Sequence, residues 1–491
     1  MMRGLVFLHR WLGVGLCLFF LVWFATGIGM MYWDFPAVTD RDRLARSPAL
    51  DASAIVLSPQ QAYATLRLAA PPDDARLGTF DLRPVYRFRA GRALHVVYAD
   101  TGEPRTEASA AASMRRVAAR WSGQREQDAA TESIDAVDQW TVQGPLRTLR
   151  PLWKYSWPDG QQVYVAQSTG EVAQYTTRAS RIGAYLGPIP HWLYFTPLRS
   201  RPSRWTAVVV WSSGIGTVAA MLGLAIGVSR YAPSKRYVLA GARTGIPYRG
   251  QKRWHMILGL IFGVGAATWA FSGMLSMDPF PALTDDTDRR RAADAIGARL
   301  RGPIDLAAFD RKAPRAALAE LAGLPIKELE LTTFDARPAY VAALDGGETR
   351  VVPIDGAPRD AFDRDRIASI VADAVRPSAA RIQLLDAYDA YYLDRRGERP
   401  LPVLRVELDD ADRTRYYVDP RTARIAGSYS SRAWVTRWLY HGLHSLDFPW
   451  LYGHRPAWDV VVAAFMLGGI ALSVTSLILA SQVVGVRRRR S

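Results

Sequence analysis

The feature that most constrains this chain is an internal repeat in which each copy begins with a long apolar segment. Three pairs of motifs recur in the same order: HRWLG (from His9) and HMILG (from His255), FPAVTDRDR (from Phe35) and FPALTDDTDR (from Phe280), and TFDLRPVY (from Thr79) and TFDARPAY (from Thr333). Such spacing is typical of an internal duplication, so we predict two tandem halves instead of one long domain. The repeat also makes His9 and His255 equivalent positions.

Four apolar stretches predict four membrane-spanning helices. They cover roughly residues 12–32, 206–228, 255–277 and 460–484, and none has a charged residue in its interior. At a rise of about 1.5 Å per residue, each is long enough to cross a hydrocarbon layer about 30 Å thick. The first is too long for the apolar part of a signal peptide, so we expect an uncleaved anchor.

The net charge of +16 is concentrated near the ends of these stretches. The N-terminus, the loop between the second and third stretches and the C-terminus are rich in Arg and Lys and contain no Asp or Glu. This is the pattern of the positive-inside rule, so it predicts a multi-pass protein of the bacterial inner membrane and argues against binding of nucleic acid. Both termini and the middle loop are then cytoplasmic, and the two large segments are periplasmic.

These observations define seven segments. They are the N-terminus with the first helix (1–32), a first periplasmic domain (33–205), the second helix (206–228), a basic cytoplasmic loop (229–254), the third helix (255–277), a second periplasmic domain (278–459), and the fourth helix with a basic tail (460–491).

The two large segments mix helix and strand signals, which favours an α+β fold. Ser58 and Pro59 predict the start of a capped helix. TFDLRPVYRF and ALHVVYAD predict strands joined at Ala90–Arg92. The single cysteine, Cys17, lies in the first apolar stretch, so the large segments have neither disulfides nor a Cys-x-x-Cys-His haem attachment. They also lack a phosphate-binding loop, a nucleophile elbow and a His-Glu-x-x-His motif, which argues against a hydrolase.

Three features of the chain carry a resemblance to a known family. They are membrane segments that begin His-x-x-Leu-Gly, a strand that closes in V-[DA]-x-x-T-[GA], and the stretch RWLYHGLHSLDFPWL…RPAWD (Arg437 to Asp459). Over nearly its whole length the chain resembles the PepSY-associated membrane-helix family, in particular iron-regulated inner-membrane PepSY proteins. The resemblance implies an α+β membrane protein with four transmembrane helices in two tandem repeats, each with a periplasmic PepSY-like domain. Some members of that superfamily are haem-containing reductases of iron–siderophore complexes, which implies a role in iron acquisition.

Five of the seven histidines lie at the ends of the membrane segments or just before them. Axial imidazoles hold b-type haem, and a helix bundle can supply them from facing helices. A pseudo-two-fold axis would bring His9 and His255 face to face as one bis-imidazole site. The alternative is that both are interfacial anchors, since each lies beside Trp and basic residues.

His191, His441 and His444 precede the second and fourth helices, on the opposite side of the membrane. Because His441 and His444 are three residues apart on a predicted helix, at most one of them can ligate a given haem, with His191 as the candidate partner. The other could then contact a haem propionate or the substrate. The symmetry fails here, since alignment of the Trp-Leu-Tyr triplets places His191 opposite Arg437. The alternative is a polar collar above the membrane. His95 is expected in a strand and His454 on the surface.

We therefore predict one or two haem b groups that carry electrons from a cytoplasmic or quinol donor to ferric iron or a ferric siderophore. Thr26-Gly27, Ser272-Gly273 and the Gly-x-x-x-Gly pairs at Gly223 and Gly259 would leave room for a flat macrocycle, or serve only helix packing. The competing hypothesis is a non-enzymatic PepSY protein that binds or regulates a periplasmic partner such as a peptidase. A transporter is disfavoured by the small number of helices and by the absence of charge in their interiors.

Overall fold

The computed structural model describes residues 2–281, 287–375, 378, 380–394 and 397–488. Part of the FPALTDDTDR motif, at 282–286, and the end of the basic tail, from 489 onward, lie outside the described residues. The chain divides into two compact units. The helical unit comprises residues 1–35, 179–285 and 432–491, and the sheet unit comprises 36–178 and 286–431.

The helical unit is built on four helices that are long and apolar enough to cross a membrane. They are Met2–Met30, Pro202–Arg230, Gly250–Leu275 and Ala457–Arg488, which we call the first to fourth long helices. The prediction of four membrane-length helices is therefore confirmed. Each helix begins before the corresponding apolar stretch, because flanking polar and aromatic residues continue the helical hydrogen bonding. His9 and His255 consequently lie inside their helices.

The four long helices pack as a square bundle. The first packs beside the second and the fourth, and the third packs beside the same two, so the first and third face each other on a diagonal. Glycines set the closest approach between the second and third. A Cβ at Gly227 would lie 3.1 Å from Leu260, and one at Gly263 would lie 2.9 Å from Leu224. These two glycines serve helix packing, whereas Gly223, one turn earlier, faces a histidine.

Shorter elements of the helical unit precede the second and fourth long helices or join the second to the third. They are Arg178–Leu186, Pro188–His191, Thr196–Arg199, the hairpin β8 (Tyr237–Leu239) and β9 (Ala242–Thr244), the π-helix Val435–Gly442, and the short helices Leu443–Ser445 and Pro449–Tyr452. The turn before His191 is held against the end of the first helix, where a Cβ at Gly29 would lie only 2.4 Å from the Leu186 carbonyl oxygen. Only glycine permits this approach, which fixes the position of His191.

The sheet unit is organised around a six-stranded antiparallel sheet. Its strands in spatial order are β12 (Thr349–Pro353), β11 (Arg337–Ala343), β10 (Glu328–Phe334), β1 (Asp74–Phe80), β2 (Arg83–Ala90) and β3 (Ala93–Tyr98). β1 pairs directly with β10, so segments far apart in the chain share one sheet.

Two four-stranded sheets complete the sheet unit. One contains β4 (Ala130–Ile134), β5 (Leu152–Ser156), β6 (Gln162–Ala166) and β7 (Val172–Thr176), and the other contains β13 (Ala380–Leu385), β14 (Val403–Leu408), β15 (Arg415–Asp419) and β16 (Arg424–Tyr429). The helices are Asp40–Arg46, Pro59–Ala64, Glu107–Ser122, Thr287–Leu300, Pro314–Glu320 and Arg364–Ala374.

The central sheet is covered on both faces. On one face, buried side chains such as Leu77, Tyr86 and Tyr340 form a single apolar cluster with the short helices. On the other face there are two clusters. One joins β1–β3 to the β4–β7 sheet, and the second joins β10–β12 to the β13–β16 sheet. Between these two clusters lies a group of charged side chains that includes Arg76, Arg87 and Glu328.

One predicted helix start is confirmed, and one predicted strand is wrong. Ser58 caps the helix Pro59–Ala64 through a capping box, as expected. The stretch TFDLRPVYRF is not one strand, because Asp81 and Leu82 have φ values of 49° and 69° and form a tight turn between β1 and β2. Two-residue turns of this kind are usually recognised in a sequence by Asn-Gly or Asp-Gly. Because the turn here is Asp-Leu, no glycine marked its position.

Candidate functional site

His9 and His255 face each other across the diagonal of the four-helix bundle. Their ring centroids are 6.2 Å apart and the rings are tilted by 39°. The Nδ1 atom of His9 lies 2.9 Å from the carbonyl oxygen of Ala219 on the second long helix. The Nδ1 atom of His255 lies 3.2 Å from the hydroxyl of Thr475 on the fourth. The second and fourth helices therefore orient the two imidazoles that the first and third helices carry.

His191 and His444 form a second pair with similar spacing. Their ring centroids are 6.0 Å apart, with an angle of 70° between the rings. In this pair the helices exchange roles. His191 precedes the second long helix and His444 precedes the fourth, whereas the groups that contact their rings lie on the first and third. His191 Nδ1 lies 3.2 Å from the Thr26 hydroxyl, and His444 Nδ1 lies 3.0 Å from the Ser272 hydroxyl.

The hydroxyl contacts allow each of these imidazoles to donate a hydrogen bond from Nδ1. The hydroxyls of Thr26, Ser272 and Thr475 each donate to a backbone carbonyl of their own helix, at 2.6, 3.2 and 2.7 Å. Their oxygen atoms are then acceptors, so the histidine Nδ1–H donates to them. His9 also donates from Nδ1, since its partner is a carbonyl. A neutral imidazole that donates from Nδ1 keeps its lone pair on Nε2, which is the form that binds metal.

Burial also favours the neutral form in the second pair. Removal from water lowers the pKa of His191 to about 4. The same effect, added to the influence of nearby His191 and His441, lowers the pKa of His444 to about 3. Both imidazoles are therefore uncharged at neutral pH and can act as ligands.

The sequence left open whether His441 or His444 would pair with His191, and the structure brings His444 to it. The segment is a π-helix from Val435 to Gly442, followed by one short turn, so ordinary α-helical spacing does not apply. The His441 ring packs against Tyr440 at 4.5 Å between centroids. The backbone carbonyl of His444 accepts a 2.8 Å hydrogen bond from the Trp269 indole, which holds the turn in place.

A buried ion pair also supports this segment. The side chain of Arg437, only 5% exposed, forms a 2.7 Å ion pair with Asp447 and donates to the Asp447 carbonyl. The remaining two histidines lie elsewhere, as predicted. His95 is in β3 opposite Phe88, and His454 is exposed with Nδ1 near the Trp450 carbonyl.

The two histidine pairs lie toward opposite ends of the bundle. The first long helix carries His9 in one pair and Thr26, which contacts the other pair, and this length of helix spans about 26 Å. Aromatic side chains fill the bundle between them and belong to one apolar cluster. They include Phe20, Phe24, Trp269 and Phe465, with ring centroids 5.8 to 6.1 Å apart along the series. In the sequence, this cluster is signalled only by aromatic residues inside apolar stretches, and it was not predicted.

Each pair supplies two imidazoles, which is the number of protein ligands that a six-coordinate b-type haem takes. Among the described residues there is no group of three or more His, Cys, Asp or Glu side chains that could hold a metal ion. A porphyrin supplies four further nitrogens, so two imidazoles suffice. With metal–nitrogen bonds of about 2 Å and ring centroids about 1 Å beyond each nitrogen, two axial imidazoles have centroids about 6 Å apart. Both pairs have this separation.

Glycines next to the imidazoles provide a second indication of fit. A Cβ at Gly223 would lie 2.7 Å from His9 Cε1, one at Gly273 would lie 3.6 Å from His444 Cε1, and one at Gly27 would lie 3.7 Å from His191 Cε1. At Gly223 and Gly273 bare backbone lies beside His9 and His444, whereas the space at Gly27 is filled first by Met466, whose Sδ would lie 3.0 Å from a Cβ there. Thr26-Gly27 and Ser272-Gly273, noted in the sequence, contribute both a hydroxyl acceptor and a glycine.

No protein-family model matches the chain, and a search of curated proteins finds none that is similar to it.

Proposed function

We propose that this protein is a membrane-bound electron-transfer protein with two b-type haems, one held by His9 and His255 and the other by His191 and His444. The observation that carries the proposal is the pairing itself. Four imidazoles form two pairs with ring centroids about 6 Å apart, each ring contacted at Nδ1 by a partner on another helix. Metal-ligating histidines ordinarily make a hydrogen bond of this type with the ring nitrogen that does not bind the metal.

Bound haem would supply one-electron reduction and oxidation, and the chain's own residues would hold it and exclude water. Thr26, Ser272 and Thr475 accept the Nδ1 protons and fix the ring planes. The apolar and aromatic cluster between the pairs keeps both sites in a low-dielectric environment. No acid–base group is required for such chemistry, which agrees with the lack of hydrolytic motifs in the sequence.

The direction of electron flow rests on the sequence. The distribution of basic residues places His9 and His255 toward the cytoplasm and His191 and His444 toward the periplasm of a bacterial inner membrane. Electrons from a cytoplasmic or quinol donor would then reach an acceptor in the periplasm. The resemblance to PepSY-associated membrane proteins, with two tandem halves, suggests ferric iron or a ferric siderophore as that acceptor.

The test is a haem count on full-length protein purified in detergent after expression with ample haem supply. We expect a Soret band with sharp α and β bands after dithionite reduction, and two haems per chain by pyridine haemochrome. The double variants His9→Ala/His255→Ala and His191→Ala/His444→Ala should each retain about one.

His441→Ala is the matched control, because it removes a neighbouring histidine that is a member of neither pair. It should keep both haems. Folded protein without haem would refute the proposal. It would favour the alternative of a non-enzymatic protein that binds a periplasmic partner. Loss of haem in His441→Ala equal to that in His191→Ala/His444→Ala would refute the assignment of ligands. Reoxidation of the reduced protein by ferric citrate, followed at the α band, then tests the acceptor.

A further inference from the structure

A cluster of five charged side chains lies within the sheet unit, on the face of the central sheet that carries two apolar clusters. It consists of Arg43, Arg76, Arg87, Glu171 and Glu328, which we call the arginine cluster. Strand register explains how three members meet. Arg76 on β1 lies opposite Arg87 on β2. On its other side β1 pairs with β10, and this register brings Glu328 close to Gly78, two residues along β1 from Arg76.

The carboxylates of the arginine cluster are shared among more guanidinium groups than they can neutralise. Glu328 lies 2.7 Å from Arg43 and 3.5 Å from Arg76. Glu171 lies 2.9 Å from Arg76, 3.5 Å from Arg87 and 4.0 Å from Arg43. Three guanidinium groups therefore share two largely buried carboxylates, and the only further carboxylate paired with a described member of the cluster is the exposed Asp40, 3.4 Å from Arg43. Buried charges are normally paired, so the cluster lacks one buried anionic partner.

Arg87 is the member with the weakest compensation. Its side chain is 3% exposed, and its Nε makes no hydrogen bond within the part of the chain that the structure describes. Nη2 donates to the Thr79 carbonyl at 3.1 Å. Burial lowers the pKa of Arg87 to about 10 despite the nearby Glu171, whereas the neighbouring carboxylates outweigh burial and raise the pKa of Arg43. Arg87 remains charged at neutral pH and is the guanidinium that most needs an anion.

The fold does not require an arginine at this position. In the parallel motif TFDARPAYV, the residue that corresponds to Arg87 is Val341, which is buried on the same face of the central sheet. The strand registers agree, because Val341 lies opposite Glu330 on β10 as Arg87 lies opposite Arg76 on β1. An apolar side chain thus satisfies packing at the equivalent place, so the charge of Arg87 calls for a separate explanation.

A cavity of about 70 Å³ opens beside the arginine cluster. It is lined by Arg43, Arg87, Glu171 and Glu328 together with Arg46 and Lys327. Asp81, the other acidic residue on the described lining, is already paired with Arg116 and Arg120 at 2.5 and 2.7 Å. The lining is therefore positive overall. Since a single water molecule needs about 10–15 Å³ of such space, the cavity suits a small anion and not a folded segment.

We propose that this cavity binds a small oxyanion, either a carboxylate or a phosphate, with Arg87 as its principal ligand. A guanidinium offers planar, paired N–H donors that match the two oxygens of such a group. Gly78 forms part of the cradle, because a Cβ there would lie 3.2 Å from Arg87 Nη1 and 3.5 Å from Glu328 Oε2. This site is independent of the histidine pairs and of the haem proposal.

The experiment is thermal unfolding of full-length protein in detergent, with sodium acetate and sodium phosphate titrated against sodium chloride at constant ionic strength. We expect a saturable rise in Tm with at least one oxyanion. A response to acetate alone identifies a carboxylate site, and a response to phosphate alone identifies a phosphate site. A response to both supports the shared chemistry. No response beyond that of chloride overturns the proposal.

Variants locate the effect. Arg87→Met should abolish the oxyanion-dependent rise, whereas Arg83→Met, which removes a surface arginine of the same strand paired with Asp100, should retain it. If Arg87→Met does not fold, Gly78→Ala tests the site instead. Its added methyl group would narrow the cavity beside the Arg87 guanidinium. It should weaken the apparent affinity at least tenfold. An unchanged titration in whichever variant folds would overturn the assignment to this cavity.

Discussion

Gly223 offers a sharp test of the His9–His255 pair because it contacts one imidazole without being a ligand. In Gly223→Ala the new Cβ would lie 2.7 Å from His9 Cε1, whereas ordinary contacts begin at 3.4 Å. The ring must therefore move by about 0.7 Å. His9 Nδ1 lies 2.9 Å from the Ala219 carbonyl, so such a shift breaks or badly strains that hydrogen bond and misaligns the ring against His255.

Two contributions set the size of the effect. Loss of the hydrogen bond costs about 1 kcal/mol. Removing the orienting contact of a metal-bound histidine typically lowers affinity by about 10- to 100-fold, or about 1.4 to 2.7 kcal/mol. We expect Gly223→Ala to lose haem from the His9–His255 site and to keep it at the His191–His444 site. The haem content should fall from about two toward one per chain during purification.

The matched control is Gly15→Ala on the first long helix, where a Cβ would meet no described heavy atom within 4 Å. Since Ala is favoured over Gly in helices, this variant should fold at least as well and keep both haems. The assay is pyridine haemochrome content, together with the midpoint potentials from a redox titration. Equal haem content and unchanged potentials in Gly223→Ala would refute the reasoning, because His9 could not then be a precisely held ligand.

Three further predictions test the surroundings of the sites and the stability of both units. Ser272→Ala removes the acceptor of the His444 Nδ1–H and should lower haem retention against apomyoglobin by about 10- to 100-fold, whereas Ser276→Ala should not. Asp447→Asn leaves the buried Arg437 guanidinium without its counter-charge and should destabilise the protein by about 3 kcal/mol, seen as a lower Tm at pH 7; an unchanged Tm would contradict it. Burial alone would raise the pKa of Asp389, but hydrogen bonds from backbone N–H groups, a tyrosine and an arginine outweigh it and lower the pKa. The ionised Asp389 carboxylate therefore stabilises the folded protein above about pH 4, and this stabilisation is lost as the pH falls through the pKa of Asp389 in the folded state. Asp389→Asn should flatten the acid side of a curve of Tm against pH.

The membrane helices could be predicted because the signal is local. A run of about 20 apolar residues has one stable arrangement in a bilayer, whatever surrounds it. The start of the helix at Pro59 was equally local, since the cap at Ser58 uses only neighbouring residues. The turn at Asp81–Leu82 escaped prediction because its positive φ values are imposed by the pairing of β1 with β2 and not by a glycine.

The sequence predicted some of the histidines of the candidate site but not the residues that contact them. His9 and His255 were singled out because the repeat makes them equivalent, but no pattern pointed to Ala219 or Thr475, which orient them. The choice of His444 over His441 depended on a π-helix, whose backbone geometry leaves no clear trace in residue spacing.

By itself the sequence determined that the chain has four membrane-length helices, a mixed helix and sheet composition in the rest, and histidines at the ends of the apolar stretches. These properties follow from composition and short-range periodicity. Only the tertiary structure decided that β1 pairs with β10, that His191 meets His444, and that Arg87 lies buried with too few carboxylates around it. Each of these joins residues distant in the chain, and such contacts depend on how whole elements pack, which local patterns do not encode.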